Sequence, residues 1–259
     1  IIAEEVKLGL DTHQIGSEIL VFSVVDSTNT RAKELARQGY PTGTVIVAEE
    51  QNGGKGRRGR NWYSPPGTGL WFSIIVRPDI TPDRAPFLTI IASLALVKAF
   101  EKYDRLSPEI KWPNDILICG KKVSGILSEL SADLGNINFA VIGIGINVNL
   151  EDFPEELINK AASLKNLLGY KVDRNRLLGE VLIAFEEYYR KLTEEKFIEL
   201  LDEWRNYLRI IGKEVVIYNA SEEIVGKVTA VSPQGELVVR DKKGAIHTFW
   251  AGDVSLRKK

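Results

Sequence analysis

Apolar residues follow two different codes along this chain, and the change between them falls near Glu214. Before it, dense apolar runs alternate with segments of helical spacing; after it, apolar and polar residues alternate singly between turn formers. The first code predicts mixed helices and strands. Residues 2–10 carry Ile2, Val6, Leu8 and Leu10 among charges, which predicts a short helix ending near Gly9. Residues 19–25 are rich in β-formers and predict a strand, and Ala32, Leu35 and Ala36 predict a helix behind it. Residues 69–76 form an apolar run expected to be buried on both faces. A long helix is predicted over 83–103, opened by Thr81 and Pro82, with Leu88, Ile91, Ala92, Ala95, Leu96 and Ala99 facing the core. Residues 116–118 and 121–130 predict a hairpin around Gly120, and 139–149 a further strand on which Gly143, Gly145 and Asn147 share one face. Amphipathic helices follow over 175–192 and 196–208. The second code predicts strands over 215–218, 224–231, 236–240 and 245–250, separated by Pro233-Gln234-Gly235 and Lys242-Lys243-Gly244, and hence a small barrel.

One stretch fits neither code. From Glu50 to Trp62 the chain holds Gly53, Gly54, Gly56 and Gly59 with Lys55, Arg57, Arg58 and Arg60. Glycine entropy and like-charge repulsion predict a loop, mobile until an anionic ligand orders it. Backbone N–H groups and guanidinium forks brought close together suit a phosphate or carboxylate; a solvated basic loop is the alternative. Gly54, Gly56 and Gly59 match the dinucleotide spacing, but Asn61-Trp62-Tyr63-Ser64-Pro65-Pro66-Gly67 cannot open the helix that motif needs. Gly56 after Lys55 also excludes a P-loop.

Three further polar groups interrupt the pattern. Asp26-Ser27-Thr28-Asn29 reads as a helix N-cap or as a hydrogen-bonding wall for a polar ligand. Lys111-Trp112-Pro113-Asn114-Asp115 reads as a turn between strands or as the lining of a site. Gly125, within a strand that also carries Lys122 and Glu129, marks a bulge or the close approach of a ligand.

Composition narrows the classes. The 259 residues suggest one large or two unequal domains, and a net charge of −1 gives no global field for nucleic acid. The single cysteine, Cys119, excludes an internal disulfide framework, and two histidines leave no zinc site. No apolar run has membrane-spanning length and no signal segment opens the chain, so a cytoplasmic protein is expected. The absence of methionine suggests a fragment, a trimmed product or an engineered sequence.

Ser27-Thr28-Asn29, Gln51 with the glycine loop through Trp62, Lys111 to Asp115, Lys122 with Gly125-Ile126-Leu127, and Gly143-Ile144-Gly145-Ile146-Asn147 occur in the order found in biotin protein ligases. The chain resembles that family over nearly its whole length. Lys55 stands where some members carry arginine; it keeps the charge but loses the planar fork.

The resemblance implies an α+β fold, a mixed β-sheet flanked by helices like class II aminoacyl-tRNA synthetases, followed by an SH3-like β-barrel. It implies a linker or helix remnant over 1–16, a biotin- and ATP-binding catalytic domain over 17–210 and a C-terminal domain over 211–259. The implied reaction joins biotin and ATP, with Mg2+, into biotinyl-5′-AMP and then transfers biotin to a lysine of a biotin carboxyl carrier domain. Arg57 and Lys122 are the implied catalytic cations. Biotin would meet Ser27, Thr28, Asn29, Gln51, Gly54, Gly56, Arg57, Arg58, Gly59, Lys122 and Gly125. The adenylate would meet Arg57, Arg58, Arg60, Trp62, Lys111, Asn114 and Asn147, with Asp115 on the magnesium side. A homodimer is an implied assembly, and DNA a partner only through a missing N-terminal domain. Two alternatives share the fold: a lipoate or octanoate ligase or transferase, and the core of a biotin-sensing repressor.

Overall fold

The computed structural model describes every residue except 134, 220–221, 251–252 and 257–259. Of the predicted C-terminal domain over 211–259, residues 220–221, 251–252 and 257–259 lie outside the described residues. A seven-stranded sheet carries the larger part of the chain. Its strands are β1 (Ile19–Val25), β2 (Val45–Gln51), β3 (Leu70–Val76), β4 (Pro108–Lys111), β5 (Asp115–Ile118), β6 (Lys121–Asp133) and β7 (Asn136–Ile146), in spatial order β1-β2-β3-β7-β6-β5-β4. Only β1 and β2 run parallel; the other neighbours are antiparallel, so the sheet is mixed. Every residue of β3 is buried, as expected for a central strand covered on both faces.

One face carries α2 (Thr28–Arg37), which packs Ala32, Leu35 and Ala36 against Ile46, Ile75 and Val141. The other carries the main core, with α3 (Pro86–Phe100), α5 (Arg174–Thr193) and α6 (Phe197–Tyr207) layered on the strands. The short helices are α1 (Ala3–Leu8), which packs on α5 and β1, and α4 (Leu164–Leu168). Helix α3 is apolar nearly all round because strands and helices cover it together. Its buried Ser93 hydroxyl is satisfied, donating to the Ile90 carbonyl and accepting from Trp204 Nε1 at 2.9 Å.

The helix predicted over 83–103 divides. Pro82–Arg84 forms a 3-10 turn and the α-helix starts afresh at Pro86, whose missing N–H is harmless only in a first turn. It stops at Phe100. Beyond α6, the strands β8 (Glu214–Asn219), β9 (Glu222–Val231), β10 (Leu237–Asp241), β11 (Ile246–Phe249) and β12 (Asp253–Leu256) form one antiparallel sheet in the order β11-β10-β9-β8-β12. This fits an SH3-like domain, with one more strand than the alternation revealed. Its ladder is open between β11 and β12 among the described residues rather than closed as a barrel. Gly226 lets β9 curl tightly on β10, since a Cβ there would lie 2.5 Å from the Arg240 carbonyl oxygen. Arg205 to the Val231 carbonyl, 2.6 Å, and Trp112 Nε1 to the Gly235 carbonyl, 3.4 Å, fasten this sheet beside the larger one. Among the described residues no helix is long and apolar enough to cross a membrane.

Candidate active site

The glycine loop leaves β2 at Gln51 and folds back as a narrow hairpin. Lys55 pairs with Asn61, Gly56 N–H donates to the Arg60 carbonyl at 2.6 Å, and Trp62 N–H donates to the Gly54 carbonyl at 2.9 Å. Its tip is a 3-10 turn over Arg57–Gly59, with Arg58 and Gly59 both left-handed. That turn separates the cations. Arg57 Nη1 donates to Asn114 Oδ1 at 3.0 Å, Arg58 Nη1 to the Tyr218 carbonyl at 3.1 Å, and Lys55 Nζ to Thr30 Oγ1 at 2.8 Å.

The polar quartet before α2 does not cap it by side chain. Ser27 occupies the N-cap position without a side-chain cap bond, and the Thr28 N–H is taken by Gln51 Oε1 at 2.8 Å, from the neighbouring parallel strand. Ser27, Thr28 and Asn29 are all buried and instead line a cavity. Asn114 belongs to both of its expected readings: it closes the tight turn between β4 and β5, donating to the Ile126 carbonyl at 2.8 Å, and it turns its oxygen to Arg57. The Trp112–Pro113 peptide within this turn is cis.

A bulge places Lys122. Ile116 pairs with Ser124 and Leu117 with Lys122, so Val123 is the extra residue. Residues 122 and 125 would point to opposite faces of a regular strand; the extra residue brings Lys122 over Gly125, where a Cβ would lie 3.0 Å from Lys122 Cε. The ammonium sits 2.7 Å from Asp115 Oδ1 and 4.9 Å from the Trp62 ring centroid. On β7 the two bare positions serve different neighbours. A Cβ on Gly143 would strike Asn29 Oδ1 at 1.9 Å, whereas one on Gly145 would meet the Trp62 indole at 2.5 Å. What the bare position at Gly145 accommodates is therefore the protein's own indole, whose buried Nε1 has no partner among the described residues.

These elements enclose a cavity of about 690 Å³. Of the residues singled out in the sequence, Ser27, Thr28, Asn29, Gln51, Gly56, Arg57, Arg60, Trp62, Lys111, Asn114, Asp115, Lys122, Gly125 and Asn147 line it. Gly54, Arg58 and Gly59 do not. Gly54 is pressed against the Trp62 carbonyl and Ser64, Arg58 reaches away to β8, and Gly59 makes the turn. Asn147 spends its amide hydrogens on the carbonyls of Lys122 and Ala162, which leaves its oxygen as the polar atom it can offer a ligand.

One wall escaped the sequence reading. Phe153, Leu157, Asn159, Lys160 and Ala161 close the cavity beside Lys122, whose N–H donates to the Lys160 carbonyl at 2.8 Å and whose carbonyl accepts from Ala162 N–H at 3.0 Å. Phe153 and Leu157, apolar among Glu151, Asp152, Glu155 and Glu156, were the available signal. Glu129 was visible but had no assigned role; it holds the Asn29 amide at 2.8 Å and pairs with Lys33 at 2.8 Å. Burial opposes its ionisation, but Lys33 and Asn29 outweigh this and keep its carboxyl below the ordinary carboxylate range. Asp115 lines the cavity, and no cluster of three His, Cys, Asp or Glu side chains occurs among the described residues.

Comparison with known proteins agrees with this geometry. Residues 21–147 match the Biotin/lipoate A/B protein ligase family and residues 210–257 the Biotin protein ligase C terminal domain. The bifunctional ligase/repressor BirA of Bacillus subtilis is 37% identical over 254 residues, spanning 97% of this chain and 78% of that protein. The biotin–[acetyl-CoA-carboxylase] ligase of Paracoccus denitrificans is 31% identical, spanning 88% of this chain and 98% of that protein. The biotin protein ligase of Aquifex aeolicus, solved in complex with biotin and ATP, superposes with a TM-score of 0.80 at 32% identity, over 94% of this chain and 100% of that one. With its cations, bulged lysine strand and curled C-terminal sheet in this arrangement, the chain belongs to the biotin protein ligase family.

Proposed function

We propose that this protein activates biotin with ATP to biotinyl-5′-AMP and transfers the biotinyl group to a lysine of a biotin carboxyl carrier domain. The observation that carries the reading is the meeting of Arg57 and Lys122 with the uncharged polar pocket of Thr28 and Gln51 in one cavity. A biotin carboxylate oxygen attacks the α-phosphorus, and the bond to pyrophosphate breaks. Both reactants are anionic, so cations already in place lower the barrier without reorganising. Arg57 is oriented by Asn114, itself tied to Ile126, and Lys122 is held by the bulge and by the 160–162 segment. As the substrate carboxylate arrives, Lys122 exchanges its Asp115 partner for it. In the second step the acceptor amine forms the amide, AMP leaves with the acyl-oxygen bond, and the amine's proton is released. Asp115 would be the side chain at hand to hold a magnesium ion accompanying ATP, which would supply neutralisation of phosphate charge.

The same reading divides the chain into a linker over 1–16, a catalytic domain over 17–210 and a C-terminal domain over 211–259, and places the enzyme in the cytoplasm. A second reading, a biotin-sensing core acting as a homodimer and on DNA through a preceding domain, is favoured by the ligase/repressor names among the relatives. ATP–pyrophosphate exchange tests the first reading, with biotin, lipoate and octanoate compared. Exchange with biotin alone supports it; binding of biotin without exchange refutes it in favour of the sensor.

A further inference from the structure

The return arm of the glycine hairpin is pinned to the cavity wall by a hydroxyl that is not itself among the lining residues. Ser64 is 5% exposed and stands between Gln51, at the end of β2, and Trp62. Its donor order follows from the backbone. The Thr28 N–H can only donate and faces Gln51 Oε1 at 2.8 Å, so the Gln51 amide nitrogen is turned the other way, to Ser64 Oγ at 2.9 Å. Ser64 Oγ accepts there and spends its one hydrogen on the Trp62 carbonyl, 3.0 Å away. The main chain closes the same junction: Gln51 N–H donates to the Ser64 carbonyl at 3.3 Å and Trp62 N–H to the Gly54 carbonyl at 2.9 Å. Gly54 leaves room for the junction, since a Cβ there would lie 2.5 Å from the Trp62 carbonyl oxygen, 2.8 Å from Ser64 Oγ and 3.2 Å from Gln51 Nε2.

We propose that Ser64 is a positioning residue: it fixes the Trp62 peptide, seats the indole over Lys122 and so prolongs retention of the adenylate. The inference rests on the ligase reading and deepens it. The indole lies across both bare strand positions, since a Cβ on Gly145 would meet its Nε1 at 2.5 Å and one on Gly125 its Cζ3 at 2.8 Å. The Lys122 ammonium is 4.9 Å from the ring centroid. A ring so placed shields the reacting groups from water only while its own backbone is held. Without the Ser64 hydroxyl the Trp62 carbonyl loses its donor and the Gln51 amide its acceptor, both in a buried place. The Trp62 peptide then turns to find another partner, and the indole moves with it. Lys122 stays where it is, because the β6 bulge and the 160–162 segment hold it independently.

The test is Ser64→Ala, made both in the unmodified protein and in Trp62→Ala, with release of biotinyl-5′-AMP read by filter retention. In the unmodified background, loss of two hydrogen bonds should speed release by about fivefold to thirtyfold. In the Trp62→Ala background, where no indole is left to seat, the same change should add less than about twofold. A serine with a merely structural role would act equally in both. The KM for ATP in pyrophosphate exchange should move less than about threefold, because Arg57 keeps its Asn114 anchor. Gly54→Ala, whose new methyl strikes the same three atoms, should reproduce the release pattern, and it decides the matter if the Ser64 variant does not fold. Equal effects in the two backgrounds, unchanged release, or a parallel rise in KM for ATP overturns the inference. Failure of the unmodified protein to form the adenylate would instead overturn the functional reading on which it rests.

Discussion

Gly143→Ala isolates one contact of the site with unusual clarity. The backbone there is ordinary extended strand, so the added methyl brings no conformational strain of its own. It brings a collision, since the new Cβ would lie 1.9 Å from Asn29 Oδ1, 2.7 Å from Cγ and 2.9 Å from Nδ2. The Asn29 amide must leave. Its departure breaks the bond from Ser73 and those to Leu127 and Glu129, the last of them charge-assisted. With a neutral bond contributing about 1 kcal/mol and a charge-assisted one about 1.5–3, and with partial relaxation, a loss of about 3 kcal/mol is expected. For a chain of this size that lowers Tm by about 6–12 °C. Gly125→Ala provides the contrast. Its nearest atoms, Trp62 Cζ3 at 2.8 Å and Lys122 Cε at 3.0 Å, belong to side chains facing the cavity. They can move, so Tm should fall by no more than about 3 °C while biotin-dependent exchange drops at least about tenfold through displaced Lys122. Thermal melts and exchange assays on the two variants read both outcomes. If Gly143→Ala melts within about 2 °C of the unmodified protein and keeps its KM for biotin, the seating of Asn29 against β7 is wrong.

Other consequences can be checked independently. Arg57→Gly removes the cation oriented by Asn114 and should speed release of the adenylate by about tenfold to a hundredfold in a filter-retention assay; unchanged release would remove Arg57 from phosphate binding. Trypsin should cut at Arg57, Arg58 and Arg60 more slowly with biotin and MgATP than without, and equal rates would contradict ligand-driven ordering of the hairpin. Glu186 accepts the N–H groups of His13, Gln14 and Ile15 at 2.6, 2.8 and 2.7 Å. Burial raises its pKa, but these donors outweigh that and depress it below 4.5. Its contribution is therefore present above the unfolded-state value and lost as pH falls through the folded one. Glu186→Gln should lower Tm at neutral pH by about 2–4 °C and flatten the decline below pH 4.5; an unchanged acid limb would show that the 13–15 turn is held otherwise.

The sequence by itself determined the elements and most of the site's membership. Period-two and helical spacing are local properties, so the strands over 19–25 and 69–76 and the helices of 175–192 and 196–208 were legible, with boundaries moved by a residue or so. Glycine and charge in 50–62 pointed to an anion site because no regular element tolerates that composition. Local pattern failed where a single proline intervened, at Pro86, and where short runs follow turns, at β12. Only the tertiary structure decided which side chains share an environment. The extra residue at Val123 turned Lys122 onto the cavity face, and pairing of β1 with β2 gave the Thr28 N–H to Gln51 rather than to a cap. Register across β3 and β7 set Gly143 under Asn29 and Gly145 under Trp62, so two glycines of one motif serve different neighbours. The return of 153–161 beside Lys122 depends on a long-range bridge between Lys122 and Ala161. Hydrogen-bond direction and close approach are relations between residues distant in the chain, whereas periodicity is a relation between neighbours, and this difference divides what the sequence disclosed from what the fold had to supply.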